Sequence, residues 1–144
     1  MPSQSVETTA AEQTESLGAS LARGLADGDV VLVCGELGAG KTTLVRGAAR
    51  ALGVDGAITS PTFSIGHRYR GEGVTVSHLD LYRLESLEGE DPDLLADYLG
   101  PGRIAFVEWP PQAEAELAGA RLRVTLSHRG GDRRAIEVSE SRPG

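Results

Sequence analysis

Two uninterrupted runs of apolar residues, Val30–Cys34 and Ile104–Val107, predict two strands. Neither run alternates with polar positions, which indicates burial on both faces and is typical of a parallel sheet covered by helices. The first run is followed by apolar positions at helical spacing, and Gly53 then stands where a glycine commonly ends a helix. These helical positions are Leu44, Val45, Ala48, Ala49 and Leu52.

Strand-like arms around glycine turns predict two antiparallel hairpins. The first consists of Phe63–Arg70 and Val74–Leu79 around Gly71-Glu72-Gly73, and the second of Arg121–His128 and Arg133–Ser139 around Gly130-Gly131.

Three further helices are predicted. Near the N-terminus, Leu17, Leu21 and Leu25 form an apolar stripe at a spacing of four residues. This helix should begin with a capping box, in which Thr9 is the N-cap and Glu12 is the third helical residue. Two short helices are expected near residues 92–99 and 112–117.

The loop between the first apolar run and its helix has a recognisable chemistry. Gly35–Thr42 reads GELGAGKT and matches G-x-x-x-x-G-K-[ST], the phosphate-binding P-loop, in the strand–loop–helix setting that this motif requires. Its glycines let backbone N–H groups point at phosphate oxygens, where the helix adds the positive end of its dipole. Lys41, the only lysine, is expected to meet the β- and γ-phosphates, and the Thr42 hydroxyl to ligate Mg²⁺.

The elements together predict one α/β domain over residues 1–144, a single P-loop NTPase domain. Its sheet should be mixed but mostly parallel, flanked by helices, with the C-terminal antiparallel hairpin as its last part. Residues 1–8 and 140–144 are expected to fray, although Ser5–Thr8 has the length of a short edge strand.

Two carboxylates end the strands that should lie beside the P-loop strand. Asp80 follows Val74–Leu79 and Glu108 follows Ile104–Val107, so both qualify as Mg²⁺ ligands. Asp80 is followed by Leu81 rather than by a second acidic residue, so a catalytic glutamate must come from elsewhere. Glu108 is the leading candidate, which makes Lys41, Asp80 and Glu108 the predicted catalytic set.

Other polar and aromatic residues have weaker assignments. Thr62, in Ser60-Pro61-Thr62, is a candidate switch residue for the γ-phosphate, with a turn hydroxyl as the alternative. Trp109 is a second candidate switch residue, although for its ring we favour packing in the core or at its rim over stacking on adenine. His67 and His78 lie among polar strand residues and receive no role, since no Cys/His cluster has zinc-site spacing.

Composition limits the partners. The net charge of −7 and a pI near 4.9 argue against direct binding to DNA or RNA, which needs a basic patch, and favour a basic protein surface. The single cysteine excludes an internal disulfide, which fits a reducing cytoplasm. No apolar run approaches the ~20 residues of a membrane span, and the polar N-terminus lacks the apolar core of a signal peptide.

Two other P-loop classes fit less well. A small-molecule kinase usually needs an acceptor pocket and an arginine-bearing lid, for which the segment from Thr59 to Glu108 leaves little room beside the hairpin and the Asp80 strand. A GTP switch usually reads guanine with Asn-Lys-x-Asp, and this chain contains no asparagine. An ATPase is therefore ranked first and a kinase second.

Four segments, in this order and spacing, closely resemble the TsaE family: GELGAGKTT, TSPTF, HLDLYRL and VEWP. The resemblance covers roughly residues 9 to 139. It implies a P-loop domain that binds ATP and Mg²⁺, has low ATPase activity alone, and assembles with the TsaB–TsaD pair. Its hydrolysis would support turnover of the complex that makes threonylcarbamoyladenosine in tRNA, with tRNA contacted only indirectly.

The same resemblance implies roles for individual residues. The phosphate loop corresponds to Gly38, Ala39, Gly40, Lys41, Thr42 and Thr43. Thr42 and Glu108 match the metal site, Asp80 the Walker-B-like aspartate, and Trp109 the tryptophan beside that glutamate. An arginine near the nucleotide is also implied, and either Arg133 or Arg134 meets that description.

Overall fold

A computed structural model of the chain describes residues 3–35, 39–56, 58, 66–80, 101–108 and 120–140. In this part of the chain, two helices lie against a sheet of seven strands. The helices are α1 (Ala11–Ala22) and α2 (Lys41–Ala51). The strands are β1 (Ser3–Thr8), β2 (Val30–Gly35), β3 (Gly66–Arg70), β4 (Thr75–Asp80), β5 (Arg103–Glu108), β6 (Leu122–His128) and β7 (Arg134–Glu140).

The sheet order is β1-β7-β6-β2-β5-β4-β3. The four central strands, β6, β2, β5 and β4, are mutually parallel, whereas β3 pairs antiparallel with β4 and β7 antiparallel with both β6 and β1. The predicted mixed, mostly parallel α/β fold is therefore confirmed. Both predicted hairpins are present in the described ranges, as β3–β4 and β6–β7.

The two apolar runs lie at the centre of the sheet, as expected. Val31, Val33 and Phe106 are buried on the face that α2 covers, and Leu32 and Val107 are buried on the opposite face. The short helices predicted near 92–99 and 112–117 lie outside the described residues. Within the described ranges, neither helix has the length and apolar content needed to span a bilayer.

Residues 3–8 form strand β1 rather than fraying, in agreement with the alternative of an edge strand at Ser5–Thr8, and Glu140, also expected to fray, is the last residue of β7. Val6 pairs with Ile136 and Thr8 with Arg134, so β1 extends the sheet beyond β7. The antiparallel ladder satisfies backbone groups of β1 that the sequence alone left without assigned partners. Thr8 is buried, and its Oγ1 lies 2.8 Å from that of Thr14 in α1.

The first helix begins later than predicted, because the predicted capping box does not form. Its N-cap is Ala10, which has extended backbone angles, and no side chain caps it. The N–H of Thr9 instead donates to Gln13 Oε1 at 2.7 Å. Gln13 occupies the third helical position, but its side chain accepts from the residue before the N-cap rather than from the N-cap itself, so neither half of a capping box forms.

The two helices approach each other where each lacks a side chain. A Cβ atom on Gly18 of α1 would overlap the carbonyl oxygen of Leu44 in α2, and one on Gly47 of α2 would overlap that of Glu15 in α1. The innermost positions of α1 are accordingly small, namely Thr14, Gly18 and Ala22, while the predicted leucine stripe packs at the edge of the core. This close contact fixes the position of α2, the helix that begins with the P-loop residue Lys41.

Substituting Gly47 tests this contact. We expect Gly47→Ala to lower the free energy of unfolding by about 1–3 kcal/mol, the range for overpacked sites, even though alanine favours a helix by up to about 1 kcal/mol. Gly24→Ala is the matched control, since its Cβ would lie 3.7 Å from the Leu21 carbonyl oxygen, and it should change stability by less than about 0.5 kcal/mol. Urea denaturation measures both. Equal stabilities of the two variants would contradict the close approach.

Candidate active site

The P-loop runs from the end of β2 to the start of α2. Gly40 is the N-cap of α2, with a φ of 99°, a left-handed conformation that glycine adopts without strain. Lys41 begins the helix, is 9% exposed, and donates from Nζ to the carbonyl oxygen of Gly35 at 2.7 Å. Its ammonium group therefore lies across the loop, next to the last residue of β2.

The N-terminus of α2 suits an anion. In the described part of the chain, no side chain caps this helix and its first turn contains no acidic residue. The first backbone N–H groups of a helix carry a partial positive charge and have no carbonyl partners within the helix. Together with the adjacent ammonium group of Lys41, they form a site for phosphate.

Strand register brings the two candidate carboxylates to the same edge of the sheet. Asp80 and Glu108 are direct partners in the parallel pairing of β4 with β5, and Glu108 is also the partner of Val33 in β2. Neighbouring strands are about 4.8 Å apart, so these side chains start from adjacent positions. Gly35, where the P-loop begins, is two residues beyond Val33 at the same edge.

Both carboxylates lie on the face of the sheet that α2 covers. Phe106 belongs to the core cluster that contains Leu44 and Val45 of α2. Glu108 is two residues beyond Phe106, and side chains two apart on a strand share a face. Its register partner Asp80 has the same orientation, so both acids lie on the side where the P-loop helix begins.

Glu108 is held by a histidine that the sequence analysis did not select. Glu108 is 4% exposed, and its Oε2 lies 2.5 Å from Nε2 of His78, which is completely buried. His78 was placed among polar strand residues, but β4 is covered on both sides of the sheet over Val76–Leu79. The available signal was its position two residues before Asp80, which puts both side chains on one face.

The two arginines at the start of β7 lie in different surroundings. Arg133 is exposed and donates to Glu7 Oε1 at 2.9 Å. Arg134 is half-buried, and its Nε lies 3.6 Å from the point where a Cβ on Gly40 would be. Its Nη1 donates to the carbonyl oxygens of Gly131 at 2.8 Å and Arg133 at 2.9 Å, so the β6–β7 turn holds the guanidinium beside the P-loop.

The remaining predicted residues divide into two groups. Ala39 is completely buried before Gly40, while Thr42 and Thr43 are half-buried in the first turn of α2. Gly38, Thr62 and Trp109 lie outside the described residues.

The oxygen donors at this edge have the chemistry that Mg²⁺ prefers. Of the described residues, no three His, Cys, Asp or Glu side chains converge on one point. Asp80, Glu108 and the Thr42 hydroxyl would therefore form an incomplete set of ligands. This suits Mg²⁺, which commonly keeps several waters and binds through one or two carboxylates together with substrate phosphates.

A polar groove of about 530 Å³ lies elsewhere on the molecule, along β1, β6 and β7. Its lining includes Glu7, Arg123, Arg129 and Glu137, and none of the P-loop residues that the structure describes. The candidate active site is therefore defined by the convergence of loop, helix N-terminus and carboxylates rather than by this groove.

The strand–loop–helix unit and the two acids at adjacent strand ends define a P-loop protein of the α/β class. The chain belongs to the TsaE family, since the family model described as "Threonylcarbamoyl adenosine biosynthesis protein TsaE" matches residues 8–136.

Individual relatives agree with this assignment. The chain is 45% identical over 118 residues to a protein of Streptomyces coelicolor named tRNA threonylcarbamoyladenosine biosynthesis protein TsaE, covering 81% of this chain and 80% of the relative. It is 37% identical over 125 residues to the protein of that name from Bacillus subtilis, covering 87% and 78%. A crystal structure of YdiB from Bacillus subtilis superposes with a TM-score of 0.74 at 27% identity, over 96% of this chain and 86% of that one.

Proposed function

We propose that this protein binds ATP with Mg²⁺, hydrolyses it slowly, and supports the modification of tRNA with threonylcarbamoyladenosine. The observation that carries the proposal is that β2 leads into the Lys41 loop at the same edge of the sheet where β4 and β5 end on Asp80 and Glu108. The names of the relatives from Streptomyces coelicolor and Bacillus subtilis supply the pathway. A cytoplasmic location belongs to the same proposal.

The P-loop would hold the triphosphate. Backbone N–H groups at the start of α2 and the Lys41 ammonium would bind the β- and γ-phosphates, and Gly40 allows the backbone its close approach. Gly38, Ala39, Thr42 and Thr43 would complete this loop. Lys41 is nearly buried, so its charge would act on the phosphates with little screening by water.

Asp80 and Glu108 would have different roles in metal binding and hydrolysis. Thr42, Asp80 and Glu108 would hold Mg²⁺, which neutralises charge on the phosphate oxygens when bound. Glu108 would in addition orient a water molecule toward the γ-phosphate and accept its proton. Thr62 and Trp109 remain proposed as residues that respond to the nucleotide state.

Arg134 is the better candidate for the arginine near the nucleotide. Arg134 Nε lies 3.6 Å from the point where a Cβ on Gly40 would be. A guanidinium at this position would reach a ligand bound to the P-loop, which supports the choice. Arg133 is the weaker candidate, since it pairs with Glu7 on the surface.

The TsaB–TsaD pair is the proposed protein partner. The net charge of −7 favours a basic docking surface, and tRNA would be contacted only through the assembled complex. Phosphoryl transfer depends mainly on positioning and charge stabilisation, so a partner that orders the site around ATP would raise turnover. ATP would strengthen the association by the same coupling free energy.

Substitutions of basic residues test the nucleotide site. Lys41→Ala should abolish tight binding of Mg-ATP, because the phosphates lose their buried charge partner. Arg134→Gln should weaken binding by about 1–3 kcal/mol, the range for a lost hydrogen bond to a charged group, while Arg133→Gln is the matched control and should not. Titration calorimetry measures all three. Wild-type affinity in Lys41→Ala would overturn the site, and equal losses in the two arginine variants would remove the preference for Arg134.

Substitutions of the two carboxylates test their separate roles. Glu108→Ala should lower the rate of ATP hydrolysis by about 10²–10⁴-fold, the contribution of a general base, while ATP still binds. Asp80→Ala should act through the metal, so that raised Mg²⁺ or Mn²⁺ restores part of the activity. Phosphate release measures both. Normal hydrolysis by Glu108→Ala, with an inactive Asp80→Ala that does not respond to metal, would reverse the two assignments.

Partner dependence tests the biological part of the proposal. We expect ATP turnover to rise when the TsaB–TsaD pair is added, and the pair to bind more tightly with an ATP analogue than with ADP. Association should weaken as salt concentration rises, because opposite surface charges are screened. Turnover assays and calorimetry measure these effects. Fast turnover by the protein alone, with equal partner affinity in both nucleotide states, would contradict the proposal.

A further inference from the structure

We propose that His78 is a positioning residue that fixes the Glu108 carboxylate for Mg²⁺ and water, by donating a hydrogen bond from Nε2. This inference rests on the function proposed for Glu108, and it adds a residue and an atom to that site. The observation behind it is the 2.5 Å contact between His78 Nε2 and Glu108 Oε2 in the buried centre of the sheet.

Strand geometry accounts for the contact. His78 is the register partner of Phe106 in β5, and Glu108 lies two residues beyond Phe106. The histidine and the glutamate are therefore diagonal neighbours on one face, at a separation that long side chains can bridge. Asp80 is the direct register partner of Glu108. Two residues of β4 therefore lie next to Glu108 on this face, namely His78 as the hydrogen-bond donor and Asp80 as a second acid.

The hydrogen-bond inventory assigns the tautomer. An ionised carboxylate only accepts, so with Glu108 ionised it is Nε2 that carries the proton between the two side chains. The other ring nitrogen, Nδ1, is buried and has no hydrogen-bond partner in the described ranges. Among the described residues, a proton on Nδ1 would have no acceptor, and it would set the Nε2 lone pair against the carboxylate oxygens.

The bond distinguishes the two oxygens of Glu108. Oε2 accepts from His78, so Oε1 is the oxygen that would remain for a metal-bound or attacking water. A buried carboxylate without this donor would lose a charge-assisted hydrogen bond and would turn toward other donors. His78 therefore acts on ATP chemistry through Glu108 and does not itself touch substrate.

Three variants separate this role from simple packing. His78→Leu removes the donor and keeps an apolar side chain in the core. His78→Gln retains a side-chain N–H that reaches the position of Nε2. His67→Leu is the matched control, because His67 is the partner of His78 in the neighbouring strand β3 and bonds to Tyr69 instead.

The measurement is the dissociation constant of a non-hydrolysable ATP analogue, determined for the full chain in Mg²⁺ and in EDTA. The tightening by Mg²⁺ is the ratio of the dissociation constant in EDTA to that in Mg²⁺. His78→Leu should reduce this ratio by about tenfold or more, the usual effect of losing a residue that orients a metal ligand. Its affinity in EDTA should match the wild type. His78→Gln should recover most of the tightening, and His67→Leu should keep all of it.

A double substitution shows whether His78 acts through Glu108. In a Glu108→Gln background, His78→Leu should have little further effect on the response to Mg²⁺, because the group that it positions is already changed. Additive effects of the two substitutions would overturn the inference.

Three further results would contradict the positioning role of His78 or the proposed function. A His78→Leu variant with wild-type Mg²⁺ tightening would overturn the positioning role. So would parallel losses in Mg²⁺ and EDTA with a lowered Tm and no rescue by glutamine, which would indicate packing alone. A wild-type protein that shows no Mg²⁺-dependent nucleotide binding would instead overturn the proposed function, and this inference with it.

A spectroscopic measurement needs no variant and remains decisive if His78→Leu does not fold. Nitrogen-15 NMR of the histidine-labelled wild-type protein distinguishes a proton on Nε2 from one on Nδ1. An Nε2–H tautomer at His78 is expected. An Nδ1–H tautomer would overturn the assignment.

Discussion

The parallel pairing of β5 between β2 and β4 determines where the charged groups of the candidate active site lie. It sets Glu108 beside Val33 on one side and beside Asp80 on the other, at the edge where the P-loop leaves β2. A slip of one residue in β5 would turn Glu108 to the opposite face and bring Val107 to the site. The apolar residues on both faces of β5 oppose such a slip only weakly, because either register buries hydrophobic side chains. The polar contact of Glu108 with His78 therefore helps to specify the register.

The position of the P-loop helix depends on contacts at its middle and at its C-terminus. Along its middle, backbone contact with α1 leaves no room for side chains at Gly18 or Gly47. At its C-terminus, the N–H of Glu72 donates to the carbonyl oxygen of Leu52 at 2.8 Å. Glu72 belongs to the turn between β3 and β4, so the strand that carries Asp80 is bonded to the far end of the helix that begins with Lys41. The charges of the site are thus fixed relative to one another by backbone contacts.

Local sequence patterns were sufficient for the centre of the fold and for the P-loop, since burial on both faces and the phosphate loop each have a short-range signature. They were insufficient where a partner distant in sequence decides the outcome. Residues 3–8 form a strand because β7 lies beside them, and Arg134 approaches Gly40 because the β6–β7 turn carries it there. The start of α1 differs by one residue, since Ala10 rather than Thr9 is the N-cap and the Thr9 N–H donates to Gln13 instead of Glu12 capping the helix. His78 has no motif of its own in the sequence, and only the register of β4 with β5 connects it to Glu108.

The buried pair of His78 and Glu108 is difficult to explain by stability. A hydrogen bond to a charged group contributes about 1.5–3 kcal/mol, but removing a carboxylate from water costs several kcal/mol. Apolar residues of similar volume at such positions are often neutral or stabilising by about 1–4 kcal/mol. Val76 and Phe106, on the same face, illustrate that this part of the core accepts apolar side chains. A polar pair at the carboxyl ends of two central strands, beside a P-loop, is therefore better understood through the chemistry of the site and the register of β5 than as a source of net stability.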